Sequence, residues 1–387
     1  MIYRDLHHVL KAASVKSPVI SVTGPRQSGK TTLVKEVFKD YSYVNFEDLS
    51  LREFASNDPL SFLKTYGKRI VLDEAQHVPN LFSYLQLAVD EDKEIRMVIT
   101  GSQNLLLHHK ISQSLSGRVS LFTLLPFSIS ELRQTSVAHT DYEDYLITGF
   151  YPRIYDENLD PDKWLADYIQ TYLERDVRQI LNIIDLHRFQ QFLKLCAGHI
   201  GQLVNFSSFG NALGISYHTA QNWLSVLEAS YIVFRLYPFH QNFNKRLVKT
   251  PKLYFYDTGL ASVLLGLKTK EQAQLHFTKG FLFENLIIAE LLKSRLNTGV
   301  RPGFYFWRDN TGNEVDLIID EGIGTKAVEI KSSRVINTDF FKGLDYWHKH
   351  SGAPSESLFL VYGGKENQHR SNGQVISWND SSESIFP

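Results

Sequence analysis

Residues Gly24-Pro25-Arg26-Gln27-Ser28-Gly29-Lys30-Thr31 fit the pattern G-x-x-x-x-G-K-[ST], and few short patterns constrain a fold as tightly. The pattern requires an apolar strand before it and a helix after it. The loop between them turns its backbone N–H groups inward as an anion cradle. Both flanks are present: Val19-Ile20-Ser21-Val22 reads as a buried parallel strand, and residues 32–39 read as the helix. Gly24 and Gly29 keep a Cβ out of the way of the inward N–H groups. Lys30 is placed to reach the β- and γ-phosphates of ATP. Thr31 is placed to offer a hydroxyl to Mg²⁺, with Thr32 next to it at the cradle.

A second strand-like run, Arg69-Ile70-Val71-Leu72, ends in the carboxylates Asp73 and Glu74, with Asp73 43 positions after Lys30. Apolar residues running into two acids are weak evidence alone, because many buried strands end in Asp. On a chain with the phosphate loop they gain roles. Asp73 would hold the Mg²⁺ hydration shell, and Glu74 would polarise the attacking water. The next strand, residues 95–100, ends in Gly101-Ser102-Gln103-Asn104. Ligands of open α/β sheets lie at this carboxyl edge, so Ser102 or Asn104 could sense a γ-phosphate. A turn that caps the following helix explains the same residues. Arg118, before the strand 119–124, could reach the γ-phosphate on a neighbouring subunit, or form a surface ion pair.

These segments together resemble a known family. The loop, Leu72-Asp73-Glu74-Ala75-Gln76, Thr100-Gly101-Ser102, and Gly117-Arg118-Val119 followed by Leu124-Leu125-Pro126-Phe127-Ser128 are similar to the AAA-type ATPase domain of a widespread prokaryotic family. That family joins the ATPase domain to a C-terminal domain of uncertain role, and the resemblance spans essentially the whole chain. It implies a sheet with the phosphate-loop strand central, and assembly of a homo-oligomeric ring, a hexamer among the candidate sizes. Gly149-Phe150-Tyr151-Pro152 resembles a motif that closes the ATPase domain. Arg153 beside it is a second candidate for the trans-acting arginine. Glu174-Arg175-Asp176 resembles a charged motif suited to ion pairs between helices or subunits.

Beyond residue 200 the rhythm changes. Helix 206–213, ended by Gly214, helix 216–229, capped by Ser216, and strand 231–236 follow the order of a winged helix-turn-helix. His218, Thr219, Gln221, Asn222 and Ser225 then lie on its second helix. Residues 229–256 contain no Asp or Glu but hold Arg235, Lys245, Arg246, Lys249 and Lys252 among aromatic side chains. On a chain of formal net charge −1, such a local excess is a footprint of phosphate binding, here read as DNA. A winged module that binds protein is the alternative.

The C-terminal part carries a third pattern. Glu284 lies in the first turn of a helix over 280–296. Asp316 lies in a strand over 314–319, and Glu329-Ile330-Lys331 ends another, 13 positions after Asp316. Glu329 and Lys331 share a face because strand side chains alternate. This order matches the PD-(D/E)xK nuclease pattern. Asp316, Glu329 and the Ile330 carbonyl would ligate Mg²⁺, Glu284 would add a ligand through water, and Lys331 would position the attacking water. Cross-strand ion pairs account for the same residues without a metal.

At 387 residues the chain is too long for one core. Three domains are expected: 1–155 for ATP, 156–250 helical with the winged helix, and 251–387 nuclease-like. The fold class is α/β, with a parallel P-loop sheet followed by a helical winged-helix module and a PD-(D/E)xK nuclease-like α/β domain. Cys196 is the single cysteine, which excludes an intrachain disulfide and suits a reducing cytoplasm. No membrane span or signal segment is expected. The reading that results is an ATP-hydrolysing, DNA-binding motor in repair or recombination. A signalling NTPase switch and an ATP-regulated nuclease are the alternatives.

Overall fold

Val19, Ile70, Leu72, Met97 and Ile99 lie in one buried cluster, while their neighbours Ile20, Val22, Val71 and Val98 lie in another. Alternation of this kind means that both faces of one sheet are covered, which is why its strands read as continuous apolar runs. The computed structural model describes residues 2–102, 114–172, 185–239 and 249–387. Asn104, the Glu174-Arg175-Asp176 triplet, Lys245 and Arg246 carry expectations from the sequence but lie outside these residues. The described chain divides into two compact units. One comprises Met1–Phe127, Ala229–Tyr231 and Arg295–Val300, and the other comprises Ser128–Glu228, Ile232–Ser294 and Arg301–Pro387.

The first unit holds a parallel sheet of β1 (Val19–Thr23), β2 (Ser42–Asn45), β3 (Arg69–Asp73), β4 (Arg96–Gly101) and β5 (Val119–Thr123), in the order β2-β3-β4-β1-β5. Helices Leu6–Lys16 and Lys30–Val37 cover one face through Leu6, Leu10, Leu33 and Val34. Helices Leu49–Asn57, Pro59–Tyr66 and Leu81–Glu91 cover the other through Ala55, Phe62, Phe82 and Leu85. The phosphate-loop strand β1 is interior, but the middle strand is β4, which separates β1 from the acid-bearing β3. The expectation of a central β1 is corrected by one position.

The second unit is built on a mixed sheet of eight strands, ordered β12-β13-β11-β10-β9-β8-β6-β7. Here β6 is Val233–Pro238, β7 Lys252–Phe255, β8 Phe304–Arg308, β9 Glu314–Asp320, β10 Thr325–Lys331, β11 Leu358–Tyr362, β12 Gln368–Arg370 and β13 Gly373–Ser377. Strands β8, β9 and β10 form an antiparallel meander, and β11 joins β10 in parallel after helix Lys342–Ser351. That helix buries Leu344 and Trp347 against Trp307, Val315, Ile318 and Leu360.

Three expectations change here. The strand expected to complete the winged helix, now β6, is not confined to a separate middle module, because it pairs with β7 and, in parallel, with β8, and so extends the C-terminal sheet. The expected strand at 231 begins only at Val233. Tyr231 takes a left-handed φ of 58° and belongs to the first unit, where its hydroxyl donates to Thr23 Oγ1 at 2.8 Å. The Gly149–Pro152 motif packs with the second unit, so the first unit ends at Phe127 in this part of the chain and not at 155. Asp257 explains it: its carboxylate accepts from Phe150 N at 2.7 Å, and a Cβ at Gly149 would stand 2.4 Å from its Oδ1.

Candidate nucleotide site and buried ion cluster

The loop after β1 is held in shape by its own backbone. Gly24 has φ 152°, and a Cβ there would meet Leu124 O at 2.0 Å, so only glycine fits. Lys30 is buried and donates from Nζ to Gly24 O at 3.0 Å and Pro25 O at 2.8 Å. Arg4 ties the loop to the segment that follows β5, donating to Ser28 O at 2.8 Å and Leu125 O at 2.7 Å. Ser28 Oγ is buried without a hydrogen-bond partner among the described residues. A cradle of this shape, lined by N–H groups and one lysine, suits a polyphosphate.

Asp73 at the end of β3 collects three hydroxyl donors: Thr31 Oγ1 at 2.7 Å, Tyr43 OH at 2.5 Å, and Thr100 Oγ1. Burial, with the bond to Asp73 behind it, pushes the Tyr43 phenol well above its usual range, so it stays a donor. Register accounts for the convergence: β2 and β4 flank β3 and bring Tyr43 and Thr100 to the same sheet edge. Glu74 takes a left-handed backbone, φ 55° and ψ 44°, a conformation that costs a non-glycine residue on the order of 1 kcal/mol. Its carboxylate accepts from Ser102 Oγ at 3.1 Å and from Gln76 Nε2, and its N–H donates to Thr100 Oγ1 at 3.2 Å. Sequence reasoning placed Asp73, Glu74, Thr31 and Ser102 here. It missed Arg4 and Tyr43, which no motif marks, and gave no role to Gln76 and Thr100, although both lie in the family-like segments.

The site fits a magnesium nucleotide. Two hard oxygens, Thr31 Oγ1 and Asp73 Oδ2, stand 2.7 Å apart beside the cradle, and Ser28 offers an unpartnered hydroxyl. When bound, Mg²⁺ supplies charge neutralisation to the phosphates. Lys30, now bonded to the Gly24 and Pro25 carbonyls, would be the residue to meet the phosphate oxygens, and Glu74 would be placed to orient a water.

The two candidate trans-acting arginines are engaged locally. Arg118 grips Asp90 with Nε at 2.7 Å and Nη2 at 2.8 Å, and Arg153 reaches Glu157 at 2.9 Å.

In the second unit, two of the cations expected to meet DNA are engaged elsewhere. Lys252 is buried in β7 and bonds Glu284 Oε1 at 3.1 Å and Glu314 Oε1, so it cannot serve a phosphate backbone. Arg235 is held by Glu228 in a bidentate pair at 2.7 and 2.6 Å. Glu228 stands one residue before the acid-free window, which is why the window overstated the free charge. Lys249 is exposed.

Glu284, Asp316, Glu329 and Lys331 do gather in the second unit. Lys331 Nζ bonds Glu329 Oε1 at 2.5 Å and lies 3.4 Å from Asp316 Oδ2, which also accepts from Ile330 N at 2.9 Å. Tyr254 OH donates to Glu284 Oε1 at 2.5 Å. Burial lifts Glu284 to about 7 against the pull of Lys252, and burial with Asp316 beside it lifts Glu329 to about 8. Burial opposes the charge of Lys252 and Lys331, yet the surrounding carboxylates outweigh it and hold both amines protonated. The expected metal ligands are thus neighbours, but they do not fit a divalent cation as they stand. Ammonium groups sit between the carboxylates. Among the described residues, no three His, Cys, Asp or Glu side chains converge on a point where an ion could sit.

Comparison with known proteins agrees with the first unit's geometry. Residues 16–133 match the model of an AAA domain family. Residues 139–271 and 279–380 match two domains of unknown function, DUF8612 and DUF4143. The fold and the loop therefore define an AAA-type, P-loop ATPase. The chain is 30% identical to the uncharacterized protein Rv2008c of Mycobacterium tuberculosis over 85% of its own length and 73% of that protein's. It belongs to the same family as that protein. A more distant relative, an uncharacterized protein of Haemophilus influenzae, is 24% identical over 70% of this chain and 74% of its own. Among solved structures, the Walker-type ATPase PABY2304 of Pyrococcus abyssi aligns with a TM-score of 0.46 at 15% identity, covering 67% of this chain and 95% of that one. Among the described residues, no helix is long and apolar enough to cross a membrane.

Proposed function

We propose that this protein is an ATP-hydrolysing, nucleic-acid-binding machine. In this reading Mg²⁺-ATP turns over at the loop, and the second unit holds DNA with unstacked bases, as in single strands or branch points. The observation that carries the DNA assignment is a cleft of about 620 Å³ in the second unit, beside helices Phe206–Leu213 and Tyr217–Ala229 and the β6–β7 hairpin. Its described lining includes Lys249 and Arg235, the latter paired with Glu228, and no carboxylate. Tyr217 and Tyr237 stand 47% and 49% exposed there. Phe206 buttresses Tyr217, with ring centroids 5.5 Å apart, and the Arg235 guanidinium lies 5.7 Å from the Tyr237 ring centre. Exposed rings with cations beside them form a stacking platform, worth about 1–3 kcal/mol per base. His218, Gln221, Asn222 and Ser225 are exposed on the neighbouring helix and give the strand polar partners.

Fluorescence anisotropy with a labelled single-stranded oligonucleotide tests this. Tyr237→Ala should weaken binding about tenfold or more, and Lys249→Ala should flatten the slope of log K against log salt by roughly 0.7. Wild-type affinity and slope in both variants would place the strand elsewhere, or make the cleft a protein-docking surface. Ring assembly completes the proposal. In it, Arg118 leaves Asp90 to reach a neighbour's nucleotide, and the protein works in the cytoplasm on repair or recombination intermediates.

A further inference from the structure

The meander β8-β9-β10, the helix Lys279–Asn297 before it, and the helix and parallel strand after it support the nuclease-like reading of the second unit. In a metal-dependent version of that centre, a divalent cation would balance the carboxylates. Building on the nuclease-like reading, we infer that the ammonium of Lys252 is the resident cation of this centre, and that the centre takes up no Mg²⁺ or Mn²⁺ while Lys252 is in place.

The first support is position. Lys252 comes from β7, at the edge of the sheet, yet its side chain is only 4% exposed. It bridges Glu284, on the helix, to Glu314, at the start of β9. Glu284 is one of the expected metal ligands, and Glu314 stands two residues before another, Asp316, on the same strand. The second support is charge. Four carboxylates take part (Glu284, Glu314, Asp316 and Glu329). Three cations face them, with Lys331 on the Asp316–Glu329 side and Arg308 3.4 Å from Glu314. A dication added to that set would meet the buried ammonium of Lys252 and the half-buried one of Lys331 at close range, and repulsion in a poorly solvated site is severe. The third support is that the ligand atoms are already used. Asp316 Oδ2 accepts from Ile330 N at 2.9 Å, and Glu284 Oε1 accepts from both Tyr254 and Lys252. Glu329 Oε2 has no partner among the described residues, but it faces the helix: a Cβ on Gly343 would stand 2.9 Å from it. The consequence is that a bound strand is gripped and not cut.

The test uses the full chain without nucleotide and counts bound Mn²⁺ from the electron paramagnetic resonance signal of the free ion. Asp316→Asn is the control that separates this centre from the ATP loop. Wild type and Asp316→Asn should bind the same number of ions. Lys252→Met keeps the stem and removes the charge, and it should gain one Mn²⁺ per chain, which Lys252→Met/Asp316→Asn loses. A wild-type ion that disappears in Asp316→Asn overturns the inference, and this arm stands even if the Lys252 variants fail to fold. A folded Lys252→Met that gains no ion overturns it too, because the ammonium would not then be holding a cation's place. Nucleic-acid binding measured on the same proteins reports separately on the DNA assignment. Loss of oligonucleotide affinity in Tyr237→Ala with no change in Mn²⁺ count would keep the two claims distinct.

Discussion

Glu74→Gln separates nucleotide binding from turnover, and the structure sets the size of the effect. The carboxylate makes two contacts that an amide can retain. Ser102 Oγ and Gln76 Nε2 donate to it, and the hydroxyl can rotate while the Gln76 amide can flip to accept. The backbone bond from Glu74 N to Thr100 Oγ1 at 3.2 Å is untouched, so the left-handed turn is kept. Local rearrangement should cost under about 1 kcal/mol. The substitution leaves the loop, Lys30 and Thr31 themselves unaltered, so ATP affinity should stay within about threefold. What would disappear is the carboxylate proposed as the general base. Such groups contribute about 10²–10⁴ in rate, equal to roughly 3–5 kcal/mol of barrier. The assay pairs titration of a fluorescent ATP analogue with phosphate release under saturating ATP. Turnover within about threefold of wild type would refute the role of Glu74, as would a collapse in affinity.

Other outcomes rest on the same geometry. Arg118→Ala should bind ATP normally and turn it over slowly, and mixing it with Lys30→Ala should restore part of the activity through mixed interfaces; a dead mixture of assembled proteins would remove the trans role. Burial holds Glu290 at about 7 in the fold against an ordinary 4.5, while its carboxylate accepts from Ile129 N at 2.7 Å. The fold therefore keeps a proton that the unfolded chain releases, so Glu290 begins to cost stability as pH rises past about 4.5, and the cost is complete above about 7. Between pH 5 and 8, wild type should lose about 3 kcal/mol more than Glu290→Gln in urea melts. Trp164, Trp223, Trp307, Trp347 and Trp378 all lie in the second unit, so their fluorescence reports on it alone, and equal pH slopes would contradict the argument. Gly149→Ala should destabilise the same unit by about 2–4 kcal/mol, because it adds a clash with Asp257 to a backbone at φ 65°; an unchanged melt would show that Asp257 moves freely.

What the sequence made legible is what chemistry fixes at short range. The loop from Gly24 to Thr31 and the Leu72-Asp73-Glu74 strand end could be read because each residue type there answers to phosphate, metal or water. Tyr43 and Thr100 could not, because their approach to Asp73 depends on which strands flank β3. The same limit explains Lys252. In the sequence it closes a basic, aromatic run and looks available to a phosphate. In the fold, β7 hydrogen-bonds to β6 and sets its ammonium beside Glu284, 32 residues further along the chain. Glu284, Asp316, Glu329 and Lys331 were legible as a set, because their order along the chain survives into space. Whether they face a metal or a lysine was not, since that depends on a residue outside the motif.

Coupling between ATP and a strand is the central claim, and steady-state ATP turnover of the full chain tests it most directly. The rate is measured with and without a single-stranded oligonucleotide, in wild type and in Tyr237→Ala/Lys249→Ala. The strand should raise turnover in wild type and leave the double variant at its unstimulated rate, with the two proteins equal when no strand is present. A rate that ignores the oligonucleotide in wild type, or rises equally in both proteins, would contradict it.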